Sequence, residues 1–450
     1  MSLHALLSAR AAAGRPVRVA LIGAGKFGTM FLAQARHSRG LHVVGVADRD
    51  ADRARLALAQ AGWSAEAAAA RGAAQALKDG STWVSDDAAA LIAAPGIEVV
   101  IEATGHPSAA LAHALACLEA GRHLVMVTVE ADVLAGPLLA RRFHDAGLVY
   151  SMAYGDQPAL IAELVDWARA CGFGVVAAGK GTKYLPSYHA STPESVWAHY
   201  GLSPAEAEQG GMNARMFNSF LDGTKSAIEM AAVANACGLD VPAAGLEFPP
   251  VGAARLAEDL RPRADGGLLE RAGMVEVVSS LNRDGTPVRD DLRWGVYVVV
   301  EAPSAYTARC FREYGLTTDS SGRYAALWRP AHLIGLELGI SVASAALRGE
   351  ATGAPREFRG DAVAVAKRPL KAGEALDGEG GTTAWGRLMP AAESVRLGAL
   401  PIGLAHGLAL RRDIAEGAVL TRDDVALNPA DPTVRLRDEM EAAFGPMAAT

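Results

Sequence analysis

Short apolar runs alternate with amphipathic stretches over the first 180 residues of this chain, regularly enough to predict its elements. The run from Val17 into Gly23 reads as a strand, 26–39 as the helix after it, and 42–47 as a second strand. An Ala-rich insert at about 63–94 reads as helical. A strand ending in a small-residue turn follows at 97–105, then a helix at 107–120, a strand at 123–127 and a helix at 133–146. A strand at 148–151, a helix at 158–171 and a strand at 173–178 complete the series. Strict alternation predicts a parallel, doubly wound sheet, because parallel neighbours need a long crossover and the helices supply it.

Near residue 180 this rhythm stops. A loop with Pro186 and Pro193 leads to a helix predicted at 214–236 and to strands at 274–281, 292–301 and 325–328, with a long apolar helix at 331–347 closing an α+β segment. From about Gly360 short strands and Gly-rich turns take over. Lys367-Arg-Pro-Leu-Lys-Ala-Gly-Glu-Ala-Leu376 matches Arg411-Arg-Asp-Ile-Ala-Glu-Gly-Ala-Val-Leu420 in its basic, apolar, Gly and Leu positions, a weak repeat that predicts a small β domain of two related halves. The loop Asp377-Gly-Glu-Gly-Gly-Thr-Thr383 reads as flexible rather than as a close ligand contact. The fold class is therefore α/β, with domains at 1–178 (doubly wound sheet, short leading helix), 179–358 (α+β, substrate and oligomerisation) and 359–450 (small β domain and tail).

The turn after the first strand carries chemistry. Val17-Arg-Val-Ala-Leu-Ile-Gly-Ala-Gly-Lys-Phe-Gly28 runs from strand through G-x-G-x-x-G into helix, the dinucleotide-binding pattern of a Rossmann sheet. Gly23 serves the tight turn, Gly25 the approach of a pyrophosphate, and Gly28 the packing of helix on strand. Lys26 and Phe27 open that helix, whose unpaired N–H groups and partial positive charge face the phosphates. Asp48 lies 20 residues after Gly28, the usual reach of the acid that binds an adenosine ribose. Arg49 follows, with Arg53 and Arg55 behind it, so NAD and NADP both stay open. A modest lean to NADP rests on Arg49, for which a solvated helix face is the alternative. Thr104 and Gly105, after the strand that ends at Glu102, complete the cofactor candidates.

Composition narrows the class. At 450 residues, 50% hydrophobic and 21% charged, the chain has the size of two or three globular domains. Its net charge of −7 argues against nucleic acid as a partner, and no apolar run reaches the roughly 18 residues of a membrane span. A small-molecule substrate and a homo-oligomer, dimer or tetramer, are expected. Cys117, Cys171, Cys237 and Cys310 are scattered, without zinc or disulfide spacing. The first ten residues hold too short an apolar run for a signal peptide and read as a short helix of a cytoplasmic protein.

Candidates for catalysis lie beyond residue 178. Gly179-Lys-Gly-Thr-Lys-Tyr184 puts Lys180 and Lys183 at the carboxyl edge of a sheet, where ligands sit in open α/β folds. Their mutual repulsion would depress one pKa and suit it to protonating an oxygen that receives charge from a hydride; binding a substrate phosphate or carboxylate is the alternative, and two solvated lysines a third. Asn218, Asp222, Lys225 and Glu229 fall at i, i+4, i+7 and i+11, one stripe of the predicted helix, either facing substrate or forming ordinary surface ion pairs. Asp156 and Gln157 would touch substrate or cap the next helix. His332 and His189 are either proton donors or satisfied structural histidines. No H-E-x-x-H, G-x-S-x-G or P-loop supports a hydrolase or NTPase.

With these residues the chain resembles the homoserine dehydrogenase-like oxidoreductases that carry a C-terminal SAF domain. The resemblance spans nearly the whole length. It rests on the G-A-G-K-F-G turn, Glu102-Ala-Thr-Gly, Gly155-Asp-Gln-Pro, Gly179-Lys-Gly-Thr-Lys-Tyr-Leu-Pro186, Phe217-Asn-Ser-Phe-Leu-Asp-Gly-Thr-Lys225, Leu-Pro-Ile-Gly-Leu-Ala405 and Arg412-Asp-Ile-Ala-Glu-Gly417. It implies a nicotinamide-dependent oxidoreductase with a SAF-like, β-clip domain at its end. One branch resembles 1-deoxy-D-xylulose 5-phosphate reductoisomerase in activity, using NADPH and a divalent metal on a phosphorylated ketose. Asp222-Gly-Thr-Lys225 also resembles the N-G-T segment of homoserine dehydrogenases, but its Asp and Lys depart from that pattern and speak against homoserine. SAF domains in carbohydrate enzymes point, by analogy, to a sugar, polyol or sugar acid. The expectation is an NAD(P)-dependent oxidoreductase of a sugar-derived or phosphorylated carbonyl compound; the rivals are homoserine dehydrogenase and a non-catalytic nicotinamide sensor.

Overall fold

A computed structural model describes residues 2–445 and divides the chain into two compact units, residues 1–160 with 333–356, and 161–332 with 357–450. The sequence-based division fell at 178 and 358 instead.

In the first unit six strands form one parallel sheet: β1 (Val17–Ile22), β2 (Leu41–Ala47), β3 (Trp83–Ser85), β4 (Val99–Glu102), β5 (His123–Met126) and β6 (Tyr150–Met152), in the order β3-β2-β1-β4-β5-β6. The order reverses between β1 and β4, the switch point at which doubly wound sheets bind ligands. β1, β2 and β4 are apolar almost throughout because helices cover both faces. The helix after β1 runs Lys26–Ala35, shorter than expected. The insert expected to be helical also supplies β3, a three-residue edge strand on Gly45–Ala47 that is too short to leave a periodicity. The apolar helix expected to close the α+β segment is Gly339–Arg348 and belongs here: Leu338, Val342 and Ala345 pack with Val17, Leu21 and Phe31 in one core. Its amphipathic pattern identified a buried face but not which core buries it.

The second unit holds a five-stranded sheet of β7 (Gly174–Thr182), β8 (Met274–Ser279), β9 (Val296–Glu301), β10 (Thr317–Thr318) and β11 (Tyr324–Arg329), in the order β10-β11-β9-β7-β8. β7, read from sequence as a last Rossmann strand, pairs instead with β8 in parallel and with β9 antiparallel. The helix expected at 214–236 is two, Ala214–Leu221 and Thr224–Cys237, broken at Gly223, whose φ of +93° lies in the left-handed region.

The C-terminal segment pairs β12 (Gly360–Ala366) with β14 (Ala384–Pro390) and β13 (Ala375–Asp377) with β15 (His406–Ala409). Here the repeat becomes geometry. The Leu370 N–H donates to the Ile414 carbonyl at 2.9 Å and Ile414 returns the bond at 3.0 Å, while Gly373 donates to Leu410 (2.8 Å) as Gly417 does to Ala366 (2.9 Å). Equivalent residues thus bond reciprocally about a local two-fold axis. The loop 377–383, expected to be flexible, is closed on itself, with the Asp377 carboxylate accepting the N–H groups of Thr382 (2.6 Å) and Thr383 (3.0 Å). On the last helix, Pro432–Phe444, the fully buried Arg437 pairs with Asp361 at 2.6 Å and with Glu441. Among the described residues no helix is long and apolar enough to cross a membrane.

Candidate active site

Gly23, at φ +97°, makes the tight turn against β4: a Cβ there would lie 2.4 Å from the Ala103 carbonyl oxygen. A Cβ on Gly28 would likewise lie 2.3 Å from the Gly23 carbonyl oxygen. Gly25, which caps the helix Lys26–Ala35, differs; a Cβ on it would meet only Arg53 Nη2, at 3.0 Å. The space in front of this helix N-terminus is thus open apart from the end of the Arg53 side chain. Lys26 is exposed beside it, and Phe27 packs its ring against the core. Asp48 Oδ2 accepts the Ala24 N–H at 2.8 Å, tying the turn to the end of β2, and Arg53 Nε stands 3.9 Å from the same oxygen. Arg49 is exposed, so Arg53 is the guanidinium directed at the turn.

After β4 the loop is held by a carboxylate absent from the sequence-based candidates. Glu102 is fully buried; Oε1 accepts from Thr104 Oγ1 and Oε2 from Thr128 Oγ1, both at 2.5 Å, and the Gly105 N–H donates to Thr128 Oγ1 at 3.1 Å. An acid ending an apolar strand was the available signal. Asp156 and Gln157 are buried at the start of the helix Gln157–Ala170, where Asp156 Oδ1 accepts the Gln157 N–H at 2.9 Å. Asp156 lines a small cavity with Met126, Val129, Asp132, Met152 and Ala153. Asp132 accepts from the Tyr150 hydroxyl at 2.8 Å, its Oδ2 has no hydrogen-bond partner, and burial pushes its carboxyl up to about 7.

In the second unit, Lys180 on β7 is buried and ion-paired with the buried Glu229 of the helix Thr224–Cys237. Lys225 is half-buried one turn before Glu229. Lys183 is not a partner of Lys180: side chains alternate along extended chain, so positions three apart point oppositely. Its ammonium donates to the His199 carbonyl, 5.5 Å from the Tyr200 ring, and its pKa is lowered by burial first and Arg293 second, not by Lys180.

Gly223 splits the expected stripe. Asn218 and Asp222 precede the break and bond to the SAF-like segment, Asn218 Nδ2 donating to the Gly380 carbonyl (3.0 Å) and Asp222 Oδ2 lying 2.7 Å from Lys367 Nζ. Lys225 and Glu229 follow it. Lys367, 145 residues beyond Asp222, left no sequence signal. His189 donates through Nδ1 to the Asp222 carbonyl (2.7 Å), faces the Tyr184 hydroxyl through Nε2 (2.9 Å) and stacks on Trp385. His332 is exposed, with Nδ1 2.7 Å from the Trp294 carbonyl oxygen. Among the described residues no group of three or more His, Cys, Asp or Glu side chains is placed to hold a metal ion. The divalent metal implied by the resemblance thus has no ready-made set of three such ligands among them.

Three family models match this chain: the oxidoreductase family with NAD-binding Rossmann fold over residues 17–127, the catalytic domain of oxidoreductase DRL over 155–338, and the SAF domain over 361–426. No curated protein matches the sequence. Similar solved structures include an Agrobacterium radiobacter oxidoreductase in complex with NAD+, L-tartaric acid and magnesium (18% identity, 37% of this chain and 44% of that one, TM-score 0.28). A second is the WlbA dehydrogenase of Bordetella pertussis with NADH and UDP-GlcNAcA (18%, 37% and 47%, TM-score 0.27). A third is a probable dehydrogenase of Thermotoga maritima (13%, 74% and 90%, TM-score 0.36). The chain spans less than half the length of the first two. Its domains, a Rossmann unit, a DRL-type catalytic domain and a SAF domain, are those of an NAD(P)-dependent oxidoreductase.

Proposed function

We propose that this oxidoreductase acts on the carbonyl, or in reverse the hydroxyl, of a small sugar-derived or phosphorylated ketose, with Lys180 as proton donor. The observation that carries this reading is the buried Lys180–Glu229 pair. Burying two charges costs about as much as their attraction returns, so such a pair is weak as a stability device. Near the C-terminal end of β7 it presents an ammonium that can donate a proton.

The nicotinamide cofactor, when bound, supplies a hydride to the carbonyl carbon. Charge then develops on the oxygen, and the Lys180 ammonium protonates it. Glu229 holds Lys180 Nζ in place through the buried ion pair. In the first unit the N–H groups at Gly25 and Lys26 would hold the pyrophosphate, Asp48 the ribose, and Arg53 a 2′-phosphate where one is present. Lys225 and Lys183 supply positive charge for an anionic substrate group. The finest form of the reading is an activity like that of 1-deoxy-D-xylulose 5-phosphate reductoisomerase.

The test is NADPH and NADH turnover against phosphorylated ketoses, sugar acids, polyols and aspartate semialdehyde. A phosphorylated ketose or sugar acid should be the substrate, and Lys180→Met should lower kcat by roughly 10²-fold with cofactor affinity unchanged. Turnover of aspartate semialdehyde alone, or a Lys180→Met enzyme of normal kcat, would overturn the reading.

A further inference from the structure

We propose that the SAF domain is the positioning element of the helix Thr224–Cys237, holding Glu229, and through it Lys180, from both ends of that helix. The inference rests on the proton-donor reading above only for its catalytic consequence; the geometry stands on its own.

The helix starts at a chain break, where its first N–H groups have no partner within the helix. Asp222 Oδ1 accepts the Thr224 N–H at 2.8 Å. The other Asp222 oxygen is ion-paired at 2.7 Å with Lys367 of the SAF domain, and both side chains are all but fully buried. Lys367 Nζ also donates to the Ser191 and Gly381 carbonyls, each at 2.7 Å, so two hydrogen bonds hold the ammonium beside Asp222 Oδ2, whose contact with it is one of charge and not a hydrogen bond. On the other side of the same turn, Thr224 Oγ1 accepts the Gly386 N–H of β14 at 2.8 Å. Any side chain at 386 would meet Thr224 Cγ2 at 2.9 Å, so glycine is what lets the strand approach.

The far end is held where the chain enters β12, at the two residues that lead into the same domain. Asn235 Oδ1 accepts the N–H groups of Arg359 (2.7 Å) and Gly360 (2.9 Å), and its Nδ2 donates to the Gly360 carbonyl (3.1 Å). Glu229 lies about midway between these anchors. Because a buried pair such as Asp222–Lys367 adds little net stability, its contribution is to fix the register of the helix.

The experiment reads the clamp without substrate: amide hydrogen exchange over 224–230 and the rate at which acetic anhydride acylates Lys180, followed by mass spectrometry. Lys367→Met keeps the packed stem and removes the ammonium. It should speed both by about tenfold or more while NADPH binding holds. The double variant Asp222→Asn with Lys367→Met removes both charges and should regain thermal stability without regaining exchange protection or Lys180 shielding. A double variant of wild-type exchange and acylation would overturn the proposal. Where these variants fail to fold, Gly386→Ala presses on Thr224 alone and should give the same two changes, and wild-type values there would overturn it too. If Lys367→Met moves both readouts but Lys180→Met leaves kcat intact, the positioning stands and the proton-donor reading falls.

Discussion

Three neighbouring glycines in the dinucleotide turn should fail in three different ways. At Gly25 a new Cβ meets only the end of the flexible Arg53 side chain, so Gly25→Val keeps the fold and fills the space proposed for the pyrophosphate. It loses about 1 kcal/mol of helix capping, since valine caps poorly. At Gly28 the Cβ would lie 2.3 Å from a backbone oxygen that cannot swing away, an overpacking cost of about 1–3 kcal/mol. Gly23→Ala carries a like clash at 2.4 Å and adds about 1–2 kcal/mol for a side chain at positive φ. In a unit of this size each kcal/mol lowers Tm by about 2–4 °C. The expected falls are thus about 2–4 °C for Gly25→Val, 2–12 °C for Gly28→Ala and 4–20 °C for Gly23→Ala. Only Gly25→Val should fold near wild type and yet raise the Kd for its preferred cofactor by about 100-fold or more, some 2.7 kcal/mol. Differential scanning fluorimetry gives Tm, and calorimetric titration with NADH and NADPH gives Kd. Unchanged affinity in Gly25→Val, or a Tm loss there as large as in Gly23→Ala, would refute the reasoning.

Arg53→Ala should weaken NADPH by about 1.5–3 kcal/mol, the worth of a charged hydrogen bond, and NADH little, whereas Arg49→Ala should change neither much; titration in which Arg49→Ala shows the larger NADPH loss would reverse the assignment. Asp132 is raised from 3.8 to about 7 by burial, so its contribution is fully present below pH 3.8 and is lost as pH rises through about 7, with a slope of up to about 1.4 kcal/mol per pH unit. Urea midpoints from pH 4 to 8 should show a shallower fall in Asp132→Asn, and equal slopes in the two proteins would sink the idea. Arg437→Ala strands the buried Asp361 carboxylate and should cost about 3–5 kcal/mol in denaturant unfolding.

The Rossmann sheet was legible because its signals are local: β1, the G-x-G-x-x-G turn and Asp48 lie within one βαβ stretch, and its longer strands are mostly apolar. Three features were not. β3 is too short to carry a period. β7 looks like any parallel strand, and its membership is fixed by Met274 and Val296 far along the chain. The stripe at Asn218, Asp222, Lys225 and Glu229 assumed one helix, although Gly223 within it was the visible warning. Which of its residues meets Lys180 and which meets Lys367 depends on partners at 180 and 367, which no local spacing encodes.

The first unit is assembled from two pieces of chain, and synthesis delivers them at different times. Leu338, Val342 and Ala345 occupy core positions beside Val17 and Phe31, so the sheet made by residue 160 lacks part of its interior until residue 356 has left the ribosome. At roughly 5–20 residues per second that interval is on the order of 10–40 s, long against the time in which a finished domain folds. Over that interval the sheet lacks the apolar face that one specific helix supplies, so docking of Gly339–Arg348 is the step that completes the core behind the dinucleotide turn.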